Sequence, residues 1–470
     1  MPQSLNPQVP SPGAVNPYPV RSLALIGMAV FAFALNLRFA AIAIVGVDSN
    51  GPNFWSESGT IAQNLFNGQG YTYAFYGLRK LQPLQSFMPP LFIWLLYACL
   101  RFSTQPALTL ALVHAVLSSL TAVAIFVLAA QLSQRRAVAL LSGLAAAGYP
   151  VMVLMITIPI SLTLHLAVLA WALVFTALLA QRPKWPLAFA AGAFWGVLAL
   201  GRPAIVAFLP LTLLWLWLNC RTRQDWLKSS ALILVAATLV LLPWTVRNYR
   251  IHGRLILVST NSGATFWNGN SPFSTGTGHL VYTKRVDEYL GRPHDPSQPP
   301  VVQLQPYPLP PDLRVQVATI SEIELDRRQF QAGLAFIRQQ PKEWLTLMGQ
   351  KAVGFLWFRR DIGALYDATW TAYYKPFYVI LLILTIAGLV VSTRYWRRYS
   401  LLYLLFVFYT AIHVAYNVQT RYRWEIEPFF LIFAALCVVE VFDRLSAARR
   451  RRQAISVSPP SATSENTLAT

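Results

Sequence analysis

The succession of long apolar stretches is the feature that most constrains how this chain can fold. A helix that spans a membrane needs about 20 mostly apolar residues, and ten stretches reach or approach that length. They run approximately over residues 22–46, 107–131, 137–157, 161–181, 185–201, 203–220, 229–247, 376–392, 400–417 and 427–443. Only 12% of the residues are charged, against about a quarter in soluble domains. The sequence therefore predicts an all-α polytopic membrane protein with about 10 transmembrane helices, juxtamembrane helices and a large outer (periplasmic) loop.

The distribution of Lys and Arg predicts how these helices are oriented. If Met88–Phe102, an eleventh and shorter apolar run, does not cross the membrane and the N-terminus is cytoplasmic, the basic short connections share the cytoplasmic side. Cytoplasmic loops carry an excess of Lys and Arg. We therefore interpret Met88–Phe102 as a re-entrant or juxtamembrane helix and expect both termini in the cytoplasm. The basic residues behind this interpretation are Arg135, Arg136, Arg182, Lys184, Arg221, Arg223, Lys228, Arg394, Arg397, Arg398 and the run from Arg449 to Arg452.

This topology divides the chain into five regions. They are a disordered cytoplasmic tail (1–21), a transmembrane core (22–247) that includes a first outer loop (47–106), an outer loop region with juxtamembrane helices (248–375), C-terminal transmembrane helices (376–443) and a basic disordered cytoplasmic tail (444–470). In the outer loop region, Ser321 and Glu324 have the spacing of a capping box at the start of a helix that Pro341 ends. A second amphipathic stretch, Trp344–Trp357, is expected to lie on the outer leaflet.

The formal net charge of +20 gives no evidence of nucleic acid as a partner. In a soluble protein such an excess would suggest it. Here the excess reflects a scarcity of acids, of which 14 among 18 fall in the predicted outer segments. The uneven distribution of charge is therefore explained by the membrane topology. It places most acidic residues on the outer side, where a reaction at the membrane surface would take place.

Two carboxylates in the first outer loop are the candidate catalytic residues. Before Asp225, the only acidic residues are Asp48 and Glu57, and both closely follow the first span. The apolar pattern predicts a helix over 52–68 whose apolar face Glu57 borders. A carboxylate that is partly desolvated beside aromatic residues can accept a proton from an incoming hydroxyl or amine as a general base. Alternatively, Asp48 caps the loop and Glu57 belongs to a solvated polar face.

Four arginines at the outer ends of predicted spans form a candidate anion site: Arg202, Arg247, Arg421 and Arg423. The guanidinium group suits phosphate because it can donate two parallel hydrogen bonds. Alternatively, these side chains simply extend to the membrane interface. Arg38 lies inside the first apolar stretch, so it is expected either near the outer end of a tilted span or in a polar cavity.

The long outer loop carries a third group of candidates. Trp267, Asn268 and Asn270 lie in the run Trp-Asn-Gly-Asn, and Thr275-Gly276 follows closely. Asn, Trp and flexible Gly could bind a sugar, with the Trp contributing its apolar face. The same residue types are equally typical of turns.

The sequence gives little support for a metal or a nucleotide cofactor. It contains no Asp-x-Asp pair, and its six histidines are scattered. We interpret His114, His165 and His413 as packed core residues. No glycine-rich nucleotide fingerprint follows a predicted strand. We therefore predict no cofactor, with a bound divalent cation as the alternative.

Several segments together resemble one family, the integral-membrane C-type glycosyltransferases of the bacterial protein-mannosyltransferase and aminoarabinose-transferase kind. The resemblance covers most of residues 20–445 and rests on short motifs whose order and outer placement make the match specific. The motifs are Glu57-Ser-Gly-Thr-Ile61-Ala62-Gln-Asn64-Leu65 with Gly68 and Gly70, Pro89-Pro90-Leu91, Gly201-Arg202-Pro203, Pro243-Trp244-Thr-Val-Arg247-Asn248-Tyr249, Trp267-Asn268-Gly269-Asn270, Phe336-Ile337 with Pro341, and Arg421-Tyr422-Arg423 with Glu427-Pro428.

The resemblance implies an inverting hexosyl- or pentosyltransferase that takes its sugar from a polyprenyl-phosphate donor. It places the reaction at the outer face of the bacterial plasma (inner) membrane, on a lipid, glycan or protein acceptor. A first-loop acid would activate the acceptor, and the arginines would hold the lipid phosphate. The residues implied in substrate binding are Asn64, Trp267, Asn268, Asn270 and Tyr422. The partners are thus the donor, the acceptor and the lipid bilayer, with no nucleic acid.

One departure from the family pattern concerns the base. The family often has an Asp-Glu pair about seven residues before the position of Ile61, where this chain has Phe54. We favour Glu57 because it lies inside the matching motif, with Asp48 second. The alternatives are a transporter or flippase for a lipid-linked or anionic substrate, or a catalytically inactive relative. Transporters usually keep ionisable sites near mid-membrane, so acids in the outer segments favour chemistry at the surface.

Overall fold

The computed structural model describes residues 20–47, 56–74, 83–277, 280–281, 301–302, 309–310, 313, 316–317, 319–358 and 368–457. Most of these residues are helical. The α-helices are α1 (Val20–Val45), α2 (Glu57–Phe66), α3 (Pro90–Phe102), α4 (Pro106–Ser133), α5 (Arg136–Gly148), α6 (Pro150–Leu154), α7 (Leu162–Gln181), α8 (Trp185–Gly201), α9 (Leu209–Asn219), α10 (Arg223–His252), α11 (Ser262–Gly269), α12 (Glu322–Gln339), α13 (Pro341–Leu356), α14 (Ala368–Ser392), α15 (Trp396–Ala415), α16 (Thr420–Arg423) and α17 (Glu427–Val457). Short 3-10 helices cover Met155–Thr157, Pro203–Phe208 and Thr393–Tyr395, and the antiparallel strands β1 (Leu280–Val281) and β2 (Val301–Val302) pair.

All ten predicted apolar stretches coincide with helices, which confirms the predicted fold class. Within the described ranges, five helices are long and apolar enough to cross a membrane, and the pair α5–α6, bent by 48°, would make a sixth. One of the five is the continuous segment Ala372–Ala415 of 44 residues. At 1.5 Å per residue it would extend about 66 Å, roughly twice the apolar thickness of a bilayer. It is therefore long enough for two of the predicted spans.

Helices α8 and α10 pack closely through two glycines one turn apart. A Cβ atom on Gly192 would lie 2.4 Å from the carbonyl oxygen of Ile233, and one on Gly196 would lie 2.9 Å from that of Ala237. Small residues four positions apart let two membrane helices approach until their backbones touch. Around this pair, buried side chains of α4, α5, α7 and α17 complete the main apolar core.

Arg38 is fully buried in α1 and caps the end of another helix. Its guanidinium donates to the carbonyls of Ala147 and Ala146 and, through Nε, to Ser118 Oγ at 3.1 Å. These carbonyls end α5, because Pro150 starts α6 and has no N–H to continue the hydrogen-bond ladder. An unpaired carbonyl is costly inside a membrane. Arg38 thus caps α5 from within the bundle, and its expected place near the outer end of the span stays a prediction.

A second, smaller core lies where α2 and α3 pack against the ends of α8 and α10. Ile61 and Ala62 of α2 are buried there with Trp244 of α10. Beyond α2, Gly68 and Gly70 have φ angles of +76° and +79°, in the left-handed region that favours glycine. The glycines of the first-loop motif are therefore explained by the turn that returns the chain towards α3.

The two amphipathic helices predicted in the outer loop region are present as α12 and α13. Ser321 Oγ accepts a hydrogen bond from the backbone N–H of Glu324 at 3.2 Å, so the predicted N-cap is confirmed. Helix α12 ends at Gln339, two residues before Pro341, which begins α13. On α13, Leu345 and Val353 are exposed, as suits a helix lying on a membrane surface.

Candidate functional site

Three predicted site residues come together where α8 ends and α16 begins. Arg202 directly follows α8, and Arg421 and Tyr422 lie in α16. The guanidinium carbons of Arg202 and Arg421 lie 5.3 Å and 5.6 Å from the centroid of the Tyr422 ring. That ring also stacks on His413, with 4.4 Å between the centroids. Two cations beside one aromatic ring create a place where an anion can bind.

A buried carboxylate that the sequence analysis did not single out completes this group. Glu425 is 1% exposed, and its Oε1 accepts a hydrogen bond from Arg202 Nη2. Burial raises the pKa of Glu425 to about 7, although the charges of Arg202 and Arg421 act to lower it. We call Arg202, Arg421, Tyr422 and Glu425 the arginine cluster.

Several buried polar atoms at the arginine cluster have no hydrogen-bond partner in the part of the chain that the structure describes. They are Arg202 Nε and both ring nitrogens of His165. The Glu425 carboxylate, by contrast, also has the hydroxyl of Tyr409 as a hydrogen-bond partner. His165 packs against Gly201, where a Cβ would lie 2.2 Å from its Nε2. Buried polar groups are nearly always hydrogen-bonded, so these atoms are able to take part in binding a ligand.

Arg247 lies in a different group of contacts. Its guanidinium carbon is 5.1 Å from the ring centroid of Tyr71 and 4.6 Å from that of Trp244. Nη1 donates to the carbonyl of Gln85 at 2.6 Å and to Ser86 Oγ at 2.9 Å. Within the described residues its hydrogen bonds all start from Nη1. The edge formed by Nε and Nη2 can therefore still donate to a phosphate.

Arg423 lies in the protein core, which corrects the prediction that it binds phosphate. It is fully buried. Nε donates to Glu427 Oε1 at 2.6 Å, Nη1 to the carbonyl of Phe355 at 3.2 Å and Nη2 to the hydroxyl of Tyr374 at 3.2 Å. Since all three nitrogens donate to protein acceptors, we assign Arg423 a structural role.

Glu57 is the first residue of α2 and is half-buried. One turn later on the same face comes Ile61, which is 1% exposed, so Glu57 borders the buried face as the sequence predicts. Asp48, the second candidate base, lies outside the described residues. Asn64 Nδ2 donates to the carbonyl of Thr72 at 2.8 Å. The amide of Asn64 therefore holds the glycine turn, and its role in substrate binding stays a prediction.

Asn270 is fully buried, which corrects the prediction that it binds substrate. Its Nδ2 donates to the carbonyls of Phe266, Ala415 and Tyr416, at 3.0, 2.9 and 3.3 Å. Its Oδ1 accepts a hydrogen bond from Lys351 Nζ at 2.9 Å. Both ends of the amide are therefore engaged by the protein.

Trp267 is 5% exposed and lines a cavity of about 480 Å³ along α12. The lining combines the aromatic ring of Phe336 with the amide side chains of Gln331, Gln339 and Gln340. Asn268 is half-buried, and its backbone carbonyl accepts a hydrogen bond from Ser274 Oγ at 2.7 Å. Trp267 thus borders an open space, whereas the backbone of Asn268 is part of a turn.

Two buried charged residues, Glu425 and Lys351, carry sequence signals that could have identified them. Glu425 lies in a short run, Arg421 to Glu427, in which every second residue is charged, and that run joins two helices. Lys351 follows Leu347 by four residues on α13 and precedes Phe355 by four, so it falls on the apolar face of that helix. A lysine at such a position is unusual. In the described ranges, no group of three or more His, Cys, Asp or Glu side chains is placed to hold a metal ion.

Residues 87–246 match the family model of dolichyl-phosphate-mannose-protein mannosyltransferases. No curated protein matches the chain. Among the solved structures that match is an oligosaccharyltransferase from Archaeoglobus fulgidus in complex with Zn and sulfate, at 14% identity and a TM-score of 0.50. The alignment covers 92% of this chain and 51% of that one, so this chain spans about half the length of the oligosaccharyltransferase.

Two further matches are structures of ArnT from Cupriavidus metallidurans, both at 16% identity. The form bound to undecaprenyl phosphate aligns over 94% of this chain and 81% of that chain, with a TM-score of 0.37. The apo form aligns over 89% and 77%, with a TM-score of 0.35. The family match over residues 87–246 and the fold shared with the oligosaccharyltransferase confirm the resemblance to the C-type membrane glycosyltransferases of the protein-mannosyltransferase kind.

Proposed function

We propose that the protein transfers a sugar from a polyprenyl-phosphate donor to a lipid, glycan or protein acceptor of the cell envelope. The arginine cluster is the observation that most supports the donor class. It brings two guanidinium groups to one tyrosine ring at the end of an apolar helix. A polyprenyl-phosphate sugar has a long apolar chain and an anionic phosphate. Such a molecule fits a site where cations lie beside membrane helices.

The proposed reaction is a single displacement at the anomeric carbon. A bond forms between the acceptor oxygen or nitrogen and the anomeric carbon, while the bond from that carbon to the phosphate oxygen breaks. The acceptor proton passes to the base, and the electron pair of the broken bond stays on the polyprenyl phosphate. Negative charge therefore grows on the departing phosphate, where Arg202 and Arg421 would stabilise it. Attack opposite the leaving group inverts the configuration of the anomeric carbon.

We propose Glu57 as the general base of this reaction. Its place at the start of α2, bordering the buried face, gives a half-buried carboxylate close to one end of the helix bundle. A positioned carboxylate can take up the acceptor proton in the transition state. Asp48 is the second candidate, and a comparison of single variants at the two positions distinguishes them.

The cavity beside Trp267 supports a saccharide as the acceptor. Saccharides bind to proteins by placing apolar C–H faces on aromatic rings and hydroxyls on side chains that both donate and accept hydrogen bonds. The three glutamines provide such amides, and the rings of Trp267 and Phe336 border the cavity with 5% and 6% of each residue exposed. A volume of about 480 Å³ falls within the usual size of ligand pockets.

We propose that the reaction takes place at the outer face of a bacterial plasma membrane, with both chain termini in the cytoplasm. The basic connections between the predicted spans support this orientation. On the same proposal, the first-loop carboxylates, the arginine cluster and α12 share the outer side. The proposed chemistry uses side chains of the protein alone and assigns no step to a cofactor.

Binding of undecaprenyl phosphate to the purified protein tests the donor site. Replacing Arg421 by Gln should raise the dissociation constant about tenfold, the equivalent of roughly 1.4 kcal/mol. Arg338→Gln is the matched control, because Arg338 is exposed near the end of α12. Equal affinity of the wild type and the Arg421 variant would remove the phosphate-binding role. Transfer itself is followed by the release of undecaprenyl phosphate from a lipid-linked sugar in liposomes.

A further inference from the structure

The turn between α15 and α16, which leads into the arginine cluster, is fixed by hydrogen bonds from other parts of the chain. Helix α15 ends at Ala415, and Tyr416 turns the chain with φ −94° and ψ −97° before α16 begins at Thr420. Asn270 Nδ2 donates to the carbonyls of Ala415 and Tyr416. The backbone N–H of Val418 donates to the carbonyl of Gly276 at 2.9 Å. The segment after α11 therefore fixes the path of residues 415–418.

Lys351 adds two further attachments to this segment. Its Nζ donates to the carbonyl of Tyr416 at 2.8 Å and to Asn270 Oδ1 at 2.9 Å, and the side chain is 1% exposed. The aliphatic part of Lys351 lies against Gly276, where a Cβ would come within 2.7 Å of Lys351 Cγ. Gly269 lets the Tyr416 carbonyl approach, since a Cβ there would lie 1.8 Å from that oxygen. The glycines near Trp267 in the sequence thus make room for this attachment.

Helix α13 contacts the same segment a second time, one turn further along. The carbonyl of Phe355 accepts a hydrogen bond from Arg423 Nη1 at 3.2 Å. Lys351 therefore holds the chain before Arg421 and Tyr422, and Phe355 holds it directly after them. The backbone that carries these two residues of the arginine cluster is fixed at both ends by one helix.

Packing alone does not account for a lysine at this position. The acceptors of its ammonium group are an amide oxygen and a backbone carbonyl, both uncharged. Burial lowers the pKa of Lys351 to about 7, which shows how poorly the surroundings solvate its charge. A methionine of similar length would fill the same space without that cost. What Lys351 supplies and methionine lacks is a set of hydrogen-bond donors aimed at the turn.

We infer that Lys351 is a positioning residue for phosphate binding, because it fixes the Tyr416 turn from which Arg421 and Tyr422 extend to the donor. The inference rests on the proposed function for its ligand. It predicts that loss of the donors of Lys351 loosens the turn and weakens binding of a lipid phosphate. It also reassigns Asn270 from a substrate contact to a partner of Lys351.

Undecaprenyl phosphate is the probe for this inference, and Lys351→Met is the principal variant. We expect its dissociation constant to rise about tenfold, as the loss of two buried hydrogen bonds would allow. Hydrogen–deuterium exchange should accelerate over residues 413–423 and stay unchanged in α4 and α7. Lys342→Met is the matched control, because Lys342 is exposed on the same helix, and it should leave both measurements at wild-type values.

Lys351→Gln tests whether donors are what matters. A glutamine can still donate to the Tyr416 carbonyl, so its affinity should lie within about threefold of wild type. Wild-type affinity and exchange in Lys351→Met would overturn the inference. Faster exchange throughout the bundle would also overturn it, because that result indicates a general loss of stability.

A second variant covers the case in which Lys351→Met does not fold. Asn270→Ala removes the hydrogen bonds to the Ala415 and Tyr416 carbonyls and one of the two acceptors of Lys351. It should therefore produce the same local exchange and the same loss of affinity. Unchanged exchange at the turn would then count against the inference. If the wild type itself fails to bind undecaprenyl phosphate, the proposed function fails. The exchange data alone then decide whether Lys351 fixes the turn.

Discussion

Arg202 donates a hydrogen bond through Nη2 to Oε1 of Glu425, and this contact joins the end of α8 to the segment between α16 and α17. The two partners differ in exposure, with the side chain of Arg202 24% exposed and that of Glu425 1% exposed. The buried carboxylate therefore fixes a guanidinium group that solvent can still reach. This is the arrangement expected where an arginine must present a defined edge to an anion.

Replacing Glu425 by Gln should change how the stability of the protein depends on pH. Burial raises its pKa from 4.5 to about 7, so the folded state binds this proton more tightly than the unfolded state. Protonation of Glu425 therefore stabilises the folded protein. This contribution to the free energy of unfolding is complete below pH 4.5 and is lost as the pH rises through 7. As the pH rises from about 5 to about 8, the free energy of unfolding of the wild type should fall by on the order of 2–3 kcal/mol relative to that of Glu425→Gln. Melting curves in detergent measure this, and parallel pH profiles would contradict it.

Glu57→Gln should abolish transfer and leave donor binding intact. The amide cannot accept the acceptor proton, so we expect at least an approximately 100-fold lower turnover. The dissociation constant of undecaprenyl phosphate should stay at the wild-type value, because that lipid lacks the acceptor. Glu343→Gln, at an exposed position near the start of α13, is the control. Full activity of Glu57→Gln with loss of activity in Asp48→Asn would identify Asp48 as the base.

The sequence predicts most of the helices because a membrane span must be long and apolar. The boundaries of the stretch 161–181, for example, differ by one residue from Leu162–Gln181 in the structure. Hydrophobic periodicity does not reveal which side chain will donate hydrogen bonds to the free backbone carbonyls where a helix is interrupted. Arg38 pairs with carbonyls more than 100 residues away in sequence, and no local pattern indicates that contact.

The candidate site could be predicted by residue type, but the roles of neighbouring residues could not. Arg421 and Arg423 are two positions apart in a single turn of helix, so their side chains point in different directions. One reaches Tyr422 in the arginine cluster, and the other is buried against Glu427. Only the packing of α13 and α14 around this turn shows which of the two arginines is available to bind phosphate and which belongs to the core.

The cavity beside Trp267 predicts a change in acceptor affinity. Removing the amides of Gln331 and Gln339 by substitution with Ala should raise the KM for a saccharide acceptor by about three- to tenfold, the loss expected for one or two hydrogen bonds. The turnover at saturating acceptor should stay unchanged, because the cavity would contribute to binding alone. Arg338→Ala on the same helix lies outside the cavity lining and serves as the control. An unchanged KM would exclude this cavity as the acceptor site.

Gly196→Leu should separate α8 from α10 and destabilise the bundle. A Cβ alone would already lie 2.8 Å from that of Val240 and 2.9 Å from the carbonyl of Ala237. We expect a loss of stability of about 1–3 kcal/mol or more from such overpacking. Gly349→Ala is the control because a Cβ there meets no atom within 4 Å, and it should leave stability unchanged or raise it by up to about 1 kcal/mol. Thermal unfolding in detergent compares the two, and equal melting temperatures would contradict the close approach.

Arg38→Met should destabilise the protein although it removes a charge from an apolar helix. In a span that merely faces lipid, losing a buried cation would be favourable. Here the carbonyls of Ala146 and Ala147 would lose the guanidinium group as their hydrogen-bond donor, and Ser118 Oγ would lose the donor Nε of Arg38. Each buried group left unsatisfied costs about 1–3 kcal/mol, so the net effect should be a lower melting temperature. Asn36→Leu is the control, because the hydrogen bond that the described residues show for the Asn36 side chain stays within its own helix, to the carbonyl of Ala32. A more stable Arg38→Met protein would show that desolvation of the guanidinium outweighs the capping of α5.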